Sequence, residues 1–564
     1  MQTLSDFLVE QLAAYGVDTV FGIPGVHTVE LYRGLVGRNL RHVTARHEQS
    51  LGFMADGYAR VSGKPGVCFV ITGPGLSNIL TAMGQAYADS IPMLVISGVN
   101  PMGRMGSGNG YLHELPNQQA LAREVSAFSH TITHPGEVAQ VLARAFAVFT
   151  GTRPRPVHIE IPLNLMQAPM PEQRLTAPLL LRPGAADAAS LAVAAQALRQ
   201  AKRPLLIAGG GSVAAAETVQ ALAESLDAPV VMTINARGLL SDTHPLALSA
   251  SPSFPAIRAL VADSDVVLAI GTELGPTDFD CYDREPFSVA GQLIRIEVDA
   301  QQMVRNCAPD IALLGDAKAS TEALLAHWQA PNQAKAEANR AGTDGGVGAT
   351  VGAGAQPTGG DALNTGSIPV ANTGAARAAI ARAQGMEELT DTMRADIALL
   401  HNLRDALPDA LWVGDSTRLV YAGNMGFAAR RPRSWFNASV GFGALGYGMP
   451  AAIGAALADS TRKVICLAGD GGFQFTLGEM GTAMEVGASL VVLLLNNSGY
   501  GEIKAAMQGA GVPPIGVDLH TPDFVALALS YGWKAQRFDY GVDAATLTQA
   551  LQATTGPTLV ELTV

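Results

Sequence analysis

The sequence predicts an α/β protein built from three doubly wound parallel-sheet domains. Three observations carry this. The chain has 564 residues, more than one hydrophobic core serves, and that length suggests about three or four domains. Short β-branched runs alternate with longer alanine-rich stretches, the pattern of parallel strands covered by helices. Glycine-bearing loops follow individual runs, at Gly73-Pro74-Gly75, Gly209-Gly210-Gly211 and Gly469-Asp470-Gly471.

The first domain is expected over residues 1–170. It opens on MQTLSDFLVEQLAAYGV, with leucines at 4, 8 and 12, acidic residues between them and no basic leader, which reads as an amphipathic helix and not a signal peptide. A strand at 66–71, the loop at 73–75, a helix at 76–88 and a strand at 93–97 follow. The proline-rich stretch 169–183 leads into the second domain, 184–330, where a strand at 204–208 runs into Gly209-Gly210-Gly211. Strand, glycine loop and helix can cradle a dinucleotide, although the triplet alone carries little specificity. From 331 to 385 the composition turns to Ala, Gly, Thr and Asn with almost no aliphatic residues, so a flexible linker is expected, unable to bury enough apolar area to offset its ordering entropy. Periodicity resumes in the third domain, 386–564, with strands at 411–414, 463–468 and 490–495 and a helix at about 477–486.

With 37 basic against 49 acidic residues, a net charge of −12 and a pI near 5.4, the chain has no field to hold a nucleic acid or an anionic membrane surface. Its longest apolar runs are of strand length, far short of a membrane span, and a soluble cytoplasmic protein is expected. Cys68, Cys281, Cys307 and Cys466 are scattered, without a CxxC pair, and read as reduced core thiols.

The most specific feature is Gly469-Asp470-Gly471 directly after a strand, with Asn496-Asn497 after the next, 27 residues beyond Asp470. Ligands of an open parallel sheet sit at the carboxyl ends of its strands, and a single right-handed βαβ unit would bring Asp470 and Asn497 together there. A carboxylate and an amide oxygen suit a hard cation that keeps phosphate oxygens in its shell, as Mg²⁺ does. Gly471 and Gly472 would offer backbone N–H groups to a diphosphate.

This pair of motifs resembles the thiamine-diphosphate motif. The likeness extends over nearly the whole chain: FGIPG (21–25), RHE (46–48) followed by GFMADGYAR, TGPG (72–75) and AYADSIPMLVISG (86–98) are similar to segments of the 2-oxo acid decarboxylase and acetolactate synthase superfamily. The resemblance implies a pyrimidine-binding N-terminal domain, a central domain of dinucleotide type and a diphosphate-binding C-terminal domain. It implies thiamine diphosphate and Mg²⁺ as cofactors, with Asp470, Asn497 and the carbonyl of Gly499 on the metal. Asp415, Ser416, Thr417, Gly469, Gly471 and Gly472 would hold the diphosphate, and Pro24 and Tyr500 complete the cofactor set. Glu48 would be the carboxylate at N1′ of the aminopyrimidine, sharing a proton so that the 4′-imino nitrogen can take the one on C2. Leu445 would be the apolar wedge that folds the cofactor, and Gly443 the carbonyl at its 4′-amino group. The family places the cofactor between subunits, so a homodimer or homotetramer is implied.

The substrate is implied to be a small 2-oxo acid. The Phe-Gln pair and lysine of acetolactate synthases are missing, since the matching stretch reads Leu112-His113-Glu114 and has no lysine before Ser129. Pyruvate decarboxylases have an aspartate where Val26 stands. The segments FGIPGVHTVELYRG, RHEQ, GYARVSGKPGVCFVITGPG and GTELGPTDFD are similar to bacterial decarboxylases of 5-guanidino-2-oxopentanoate (2-ketoarginine). A guanidinium tail would need acids at the far end of its pocket, and Glu114, Asp278, Asp280 and Glu502 are candidates. His113 is the candidate proton donor. An acetolactate synthase-like carboligase acting on pyruvate is the alternative, and an FAD-containing one would use the Gly209-Gly210-Gly211 loop.

Overall fold

The computed structural model describes residues 2–171, 180–280, 284–343 and 373–564. Three six-stranded sheets, every registered pair parallel, succeed one another along the chain. The first contains β1 (Thr19–Gly22), β2 (Arg41–Thr44), β3 (Gly66–Val70), β4 (Met93–Val99), β5 (Phe128–Thr131) and β6 (Val157–Pro162), in the order β2-β1-β3-β4-β6-β5. The second contains β7 (Pro204–Ala208), β8 (Val230–Met232), β9 (Ala247–Leu248), β10 (Val266–Ile270), β11 (Gln292–Glu297) and β12 (Ile311–Leu314). Its order, β12-β11-β10-β7-β8-β9, is that of dinucleotide-binding domains. The third contains β13 (Leu411–Gly414), β14 (Trp435–Asn437), β15 (Val464–Gly469), β16 (Leu490–Asn496), β17 (Lys534–Asp539) and β18 (Thr558–Thr563). Its order, β14-β13-β15-β16-β18-β17, repeats that of the first sheet strand for strand.

Central strands such as β3, β4 and β7 are buried along their whole length, as sheets covered on both faces require. The first and third domains share one core, in which the helix Glu48–Ser62 crosses the helix Gly448–Ala458. Two glycines make that crossing. A Cβ on Gly57 would lie 2.0 Å from the Ala451 carbonyl oxygen, and one on Gly454 would lie 1.9 Å from that of Met54. Among the described residues no helix is long and apolar enough to cross a membrane.

The linker expected over 331–385 is corrected at both ends. Residues 317–343 form one helix, Ala317–Thr343, and 374–387 another, Gly374–Glu387. Both are rich in alanine, which favours helix without supplying the aliphatic face by which composition reveals one. The second helix packs on the central domain: Arg377, buried, donates to the Pro204 carbonyl (3.0 Å) and to Ser264 Oγ (2.8 Å), and the Gly374 N–H donates to Asp227 Oδ2 (2.7 Å). The rest of the expected linker, 344–372, lies outside the described residues. Cys68 and Cys466 are buried and free, Cys307 is half-buried and free, and Cys281 lies outside the described residues.

Candidate active site

β15 and β16 are neighbours, with Gly469 opposite Leu495, so the residues that follow them meet at one edge of the sheet. Asp470 begins the short helix Asp470–Phe473 and is 1% exposed. Its Oδ1 accepts the backbone N–H of Asn497 (3.2 Å), while Oδ2 is buried without a hydrogen-bond partner. Burial pushes this carboxyl up, against the N–H groups that pull it down. The end of the Asn497 amide lies 2.8 Å from the Gly499 carbonyl oxygen and 3.0 Å from Asp470 Oδ1. An NH₂ turned to that position satisfies both acceptors. An amide oxygen there creates a set of three oxygens, with an orphaned fourth beside them, which only a cation would hold together. Oxygens about 3 Å apart are the edges of an octahedron with bonds of about 2.1 Å.

These groups line a cavity of about 390 Å³. Ser416, Thr417, Gly469, Gly471 and Gly472 stand on its wall with Asp470, Asn497 and Gly499. Tyr500 lies against Gly471, where a Cβ would meet its ring at 2.7 Å. Gly443 and Leu445 also line it, carried by a turn in which Gly441, Gly443 and Gly446 all have φ between 73° and 77°, a left-handed conformation that favours glycine. Asp415 is the exception in this group. Its side chain turns away from the cavity and accepts the N–H groups of Ser416 (2.8 Å), Gly446 (3.2 Å) and Gly448 (3.1 Å). It ties the loop after β13 to the glycine turn, and burial pushes its carboxyl up to about 6.

Glu48 is the first residue of the helix Glu48–Ser62, is mostly buried, and accepts a hydrogen bond from Asn78 Nδ2 (3.0 Å). It is not on the cavity wall, which is lined entirely by residues between 416 and 503 of the same chain. Pro24 is exposed on the loop after β1. That loop carries a residue the sequence analysis missed, His27. Its ring lies edge-on to His113 with centroids 4.9 Å apart, and the Nδ1 atoms of both are buried without a partner, as is Thr72 Oγ1 nearby. Burial, and the neighbouring imidazole after it, lower the His27 pKa. His113 itself has φ 60°, a left-handed conformation uncommon outside glycine although histidine adopts it more readily than most residues, and there its backbone packs against Gly73. The signal was present: His27 stands two residues after the loop glycine of FGIPG.

The four acids considered for a cationic tail separate. Glu114 is turned onto its own loop, accepting from Ser107 Oγ (2.8 Å) and the N–H groups of Gly108, Gly110 and Tyr111 (2.8–3.0 Å). Asp280 pairs with Arg258 (3.2 Å) in the central domain. Asp278, also there, accepts from the Ile234 N–H at 3.4 Å. Glu502, exposed at the start of the helix Gly501–Gly509, is on the cavity wall. The triplet Gly209-Gly210-Gly211 has a structural reason of its own, since a Cβ on Gly209 would lie 2.2 Å from the Gly271 carbonyl oxygen and one on Gly211 3.1 Å from Gly271 Cα.

Two sheets of one topology that share a core, a third of dinucleotide-binding order, and a cavity of about 390 Å³ at the carboxyl ends of β15 and β16 fit the class of enzymes that bind a diphosphate cofactor. Three family models match the chain: "Thiamine pyrophosphate enzyme, N-terminal TPP binding domain" over residues 2–121, the central domain of that enzyme over 191–324, and its C-terminal TPP binding domain over 413–562. The chain is 45% identical over 534 residues to "Probable 2-ketoarginine decarboxylase AruI" of Pseudomonas aeruginosa, covering 94% of this chain and 88% of that one. It is 29% identical over 509 residues to the acetolactate synthase isozyme 1 large subunit of Escherichia coli (88% and 82% covered) and 28% identical over 551 residues to an acetolactate synthase of Arthrospira platensis (94% and 88%). The chain belongs to the thiamine pyrophosphate enzyme family, as its motifs implied.

Proposed function

We propose that this enzyme decarboxylates 5-guanidino-2-oxopentanoate to its aldehyde and CO₂, with Mg²⁺ beside thiamine diphosphate, as a soluble cytoplasmic homodimer or homotetramer. The observation that carries the reading is the oxygen set of Asp470, Asn497 and Gly499 on the wall of a cavity that Gly469, Gly471 and Gly472 also line, in a chain 45% identical to a protein named for 2-ketoarginine decarboxylation. Asp470, Asn497 and the Gly499 carbonyl would hold Mg²⁺, and the loops at 416–417 and 471–472 would hold the diphosphate. Bound thiamine diphosphate supplies a nucleophilic carbon for the 2-oxo group and an electron sink for the charge that CO₂ leaves behind.

The chain's own residues do the rest. Glu48 holds a proton at N1′, Leu445 and Gly443 set the fold of the cofactor, and His113, with His27 behind it, delivers the proton that completes the aldehyde. Glu502 is assigned to the guanidinium tail, because it is the acid of the four that reaches the cavity. We assign the Glu48 that serves that cavity to a second copy of the chain, a reading supported by a cavity wall on which no residue before 416 stands among the described residues.

The experiment measures CO₂ release from 2-ketoarginine, from an uncharged 2-oxo acid of equal length and from pyruvate. In wild type kcat/KM should favour the guanidinium substrate, and Glu502→Gln should raise its KM a few-fold, with a smaller effect on the uncharged acid, the loss of about 1 kcal/mol expected for a solvent-screened charge pair. Equal kcat/KM for charged and uncharged substrates would overturn the substrate assignment. Faster acetolactate formation from pyruvate would give the chain to the carboligase reading that its 28–29% identical relatives support.

A further inference from the structure

The segment that delivers Glu48 is held from outside its own domain. The N–H groups that precede a helix have no partner within it, and the direction in which the chain enters sets where the first side chain points. Here the backbone N–H groups of Arg46 (2.9 Å) and His47 (3.1 Å) both donate to one oxygen, Oε1 of Glu479, which lies more than 430 residues later in the third domain. The other oxygen, Oε2, accepts from Thr482 Oγ1 at 2.7 Å. Glu479 is 1% exposed, so packing and three hydrogen bonds leave its carboxylate no alternative position. Within its own domain the helix start has the His47 side chain, which accepts from the Gln49 N–H (3.1 Å), and Asn78 Nδ2, which donates to the Glu48 carboxylate itself (3.0 Å), but neither takes the N–H groups of Arg46 and His47. The contact is reinforced by Arg46, whose guanidinium donates to Glu485 Oε2 (2.8 Å) and Thr482 Oγ1 (2.9 Å) while lying over Gly481, where a Cβ would come within 3.0 Å of it.

We infer that Glu479 is a positioning residue for Glu48, fixing the entry of the helix Glu48–Ser62 so that its first carboxylate is aimed at the aminopyrimidine it activates. This rests on the role given to Glu48 under the proposed function. Glu479 stands nine residues after Asp470, along the short helices Asp470–Phe473 and Gln474–Thr476 and, after a two-residue turn, at the start of Glu479–Glu485. One short stretch of chain therefore carries a ligand of the candidate metal site at one end and the support of the activating carboxylate at the other.

The test uses Glu479→Gln, Glu479→Asp and Glu479→Ala in the full-length chain, with Glu48→Gln as reference. Two quantities are read: exchange of the C2 proton of bound thiamine diphosphate for deuterium, and amide hydrogen exchange of a peptide spanning 44–52 in the cofactor-free protein. Glutamine keeps the oxygen that takes both N–H groups, so Glu479→Gln should stay within about threefold of wild type in both. Shortening or removing the side chain withdraws that oxygen, so Glu479→Asp and Glu479→Ala should slow C2 exchange about ten- to a hundredfold and speed amide exchange, while cofactor affinity changes little. Wild-type C2 exchange in Glu479→Asp, with Glu48→Gln slow, would overturn the positioning role alone. Wild-type exchange in Glu48→Gln would remove the activating role of Glu48 and the inference with it.

Discussion

Among the buried acids, Asp415 and Asp470 differ in what faces them, and that difference separates their work. Asp470 keeps one oxygen without a partner and sits on the cavity wall. Asp415, one strand away, has both oxygens taken by backbone N–H groups and holds two loops in register. Asp415→Asn would set an NH₂ group against the N–H of Gly446 or of Gly448, and cofactor affinity by calorimetry should fall roughly tenfold or more. The substitution also has a pH signature. The carboxyl has a pKa of about 6 in the fold against 3.8 when exposed, so between those values the folded protein keeps a proton that the unfolded chain has released. Stability contributed by this group therefore falls as pH climbs from about 4 to about 6 and is level above. Over that interval the Tm difference between wild type and Asp415→Asn should move in favour of the variant, by the equivalent of at most roughly 3 kcal/mol, and a difference that stays constant would show that the burial is relieved. Sequence could name Asp415 from its motif but not its direction, which depends on the N–H groups of Gly446 and Gly448 more than thirty residues away. Glu114 is the same case: its loop closes around it through Gly106, Gly108 and Gly110, all with positive φ.

Among the elements, strands were legible because their signal is local. The runs expected at 93–97, 204–208 and 490–495 all lie within observed strands, β4, β7 and β16, since fully buried parallel strands are continuous apolar runs. The helix Gly374–Glu387 was not legible, because alanine and arginine carry no apolar periodicity and its reason to fold is the surface it meets. Arg377 supplies the test. Arg377→Ala leaves the Pro204 carbonyl and Ser264 Oγ without their donor, and should lower stability by roughly 2–3 kcal/mol, read as a fall in Tm. An unchanged Tm would mean that the helix is held by other contacts.

At the scale of the whole molecule, the carboxylate proposed to serve the cavity does not stand on its wall within one chain, although its neighbour Gln49 lies 3.5 Å from the carbonyl of Leu445, which does. A second copy would complete each site, and mixed subunits can decide this. Glu48→Gln and Asp470→Ala should each be inactive, the first with cofactor retained and the second with cofactor lost. When the two are co-expressed or refolded together, a mixed dimer contains one site with an intact Glu48 from one chain and an intact Asp470 from the other, and activity should return to a sizeable fraction of wild type. A mixture as inactive as its parents would place both residues in a site within a single chain.

The sequence by itself determined the α/β class, the family and the meeting of Asp470 with Asn497, because a strand, a turn and the next parallel strand form a local unit whose ends must lie together. Only the tertiary structure decided which acids remain free and which are taken. Glu479 reaches the start of the Glu48 helix, Asp415 turns inward, Glu114 closes its own loop, and Asp280 pairs with Arg258. A carboxylate reads the same in sequence whether it faces an N–H group, a guanidinium or an open cavity, and the packing of distant segments is what supplies the partner.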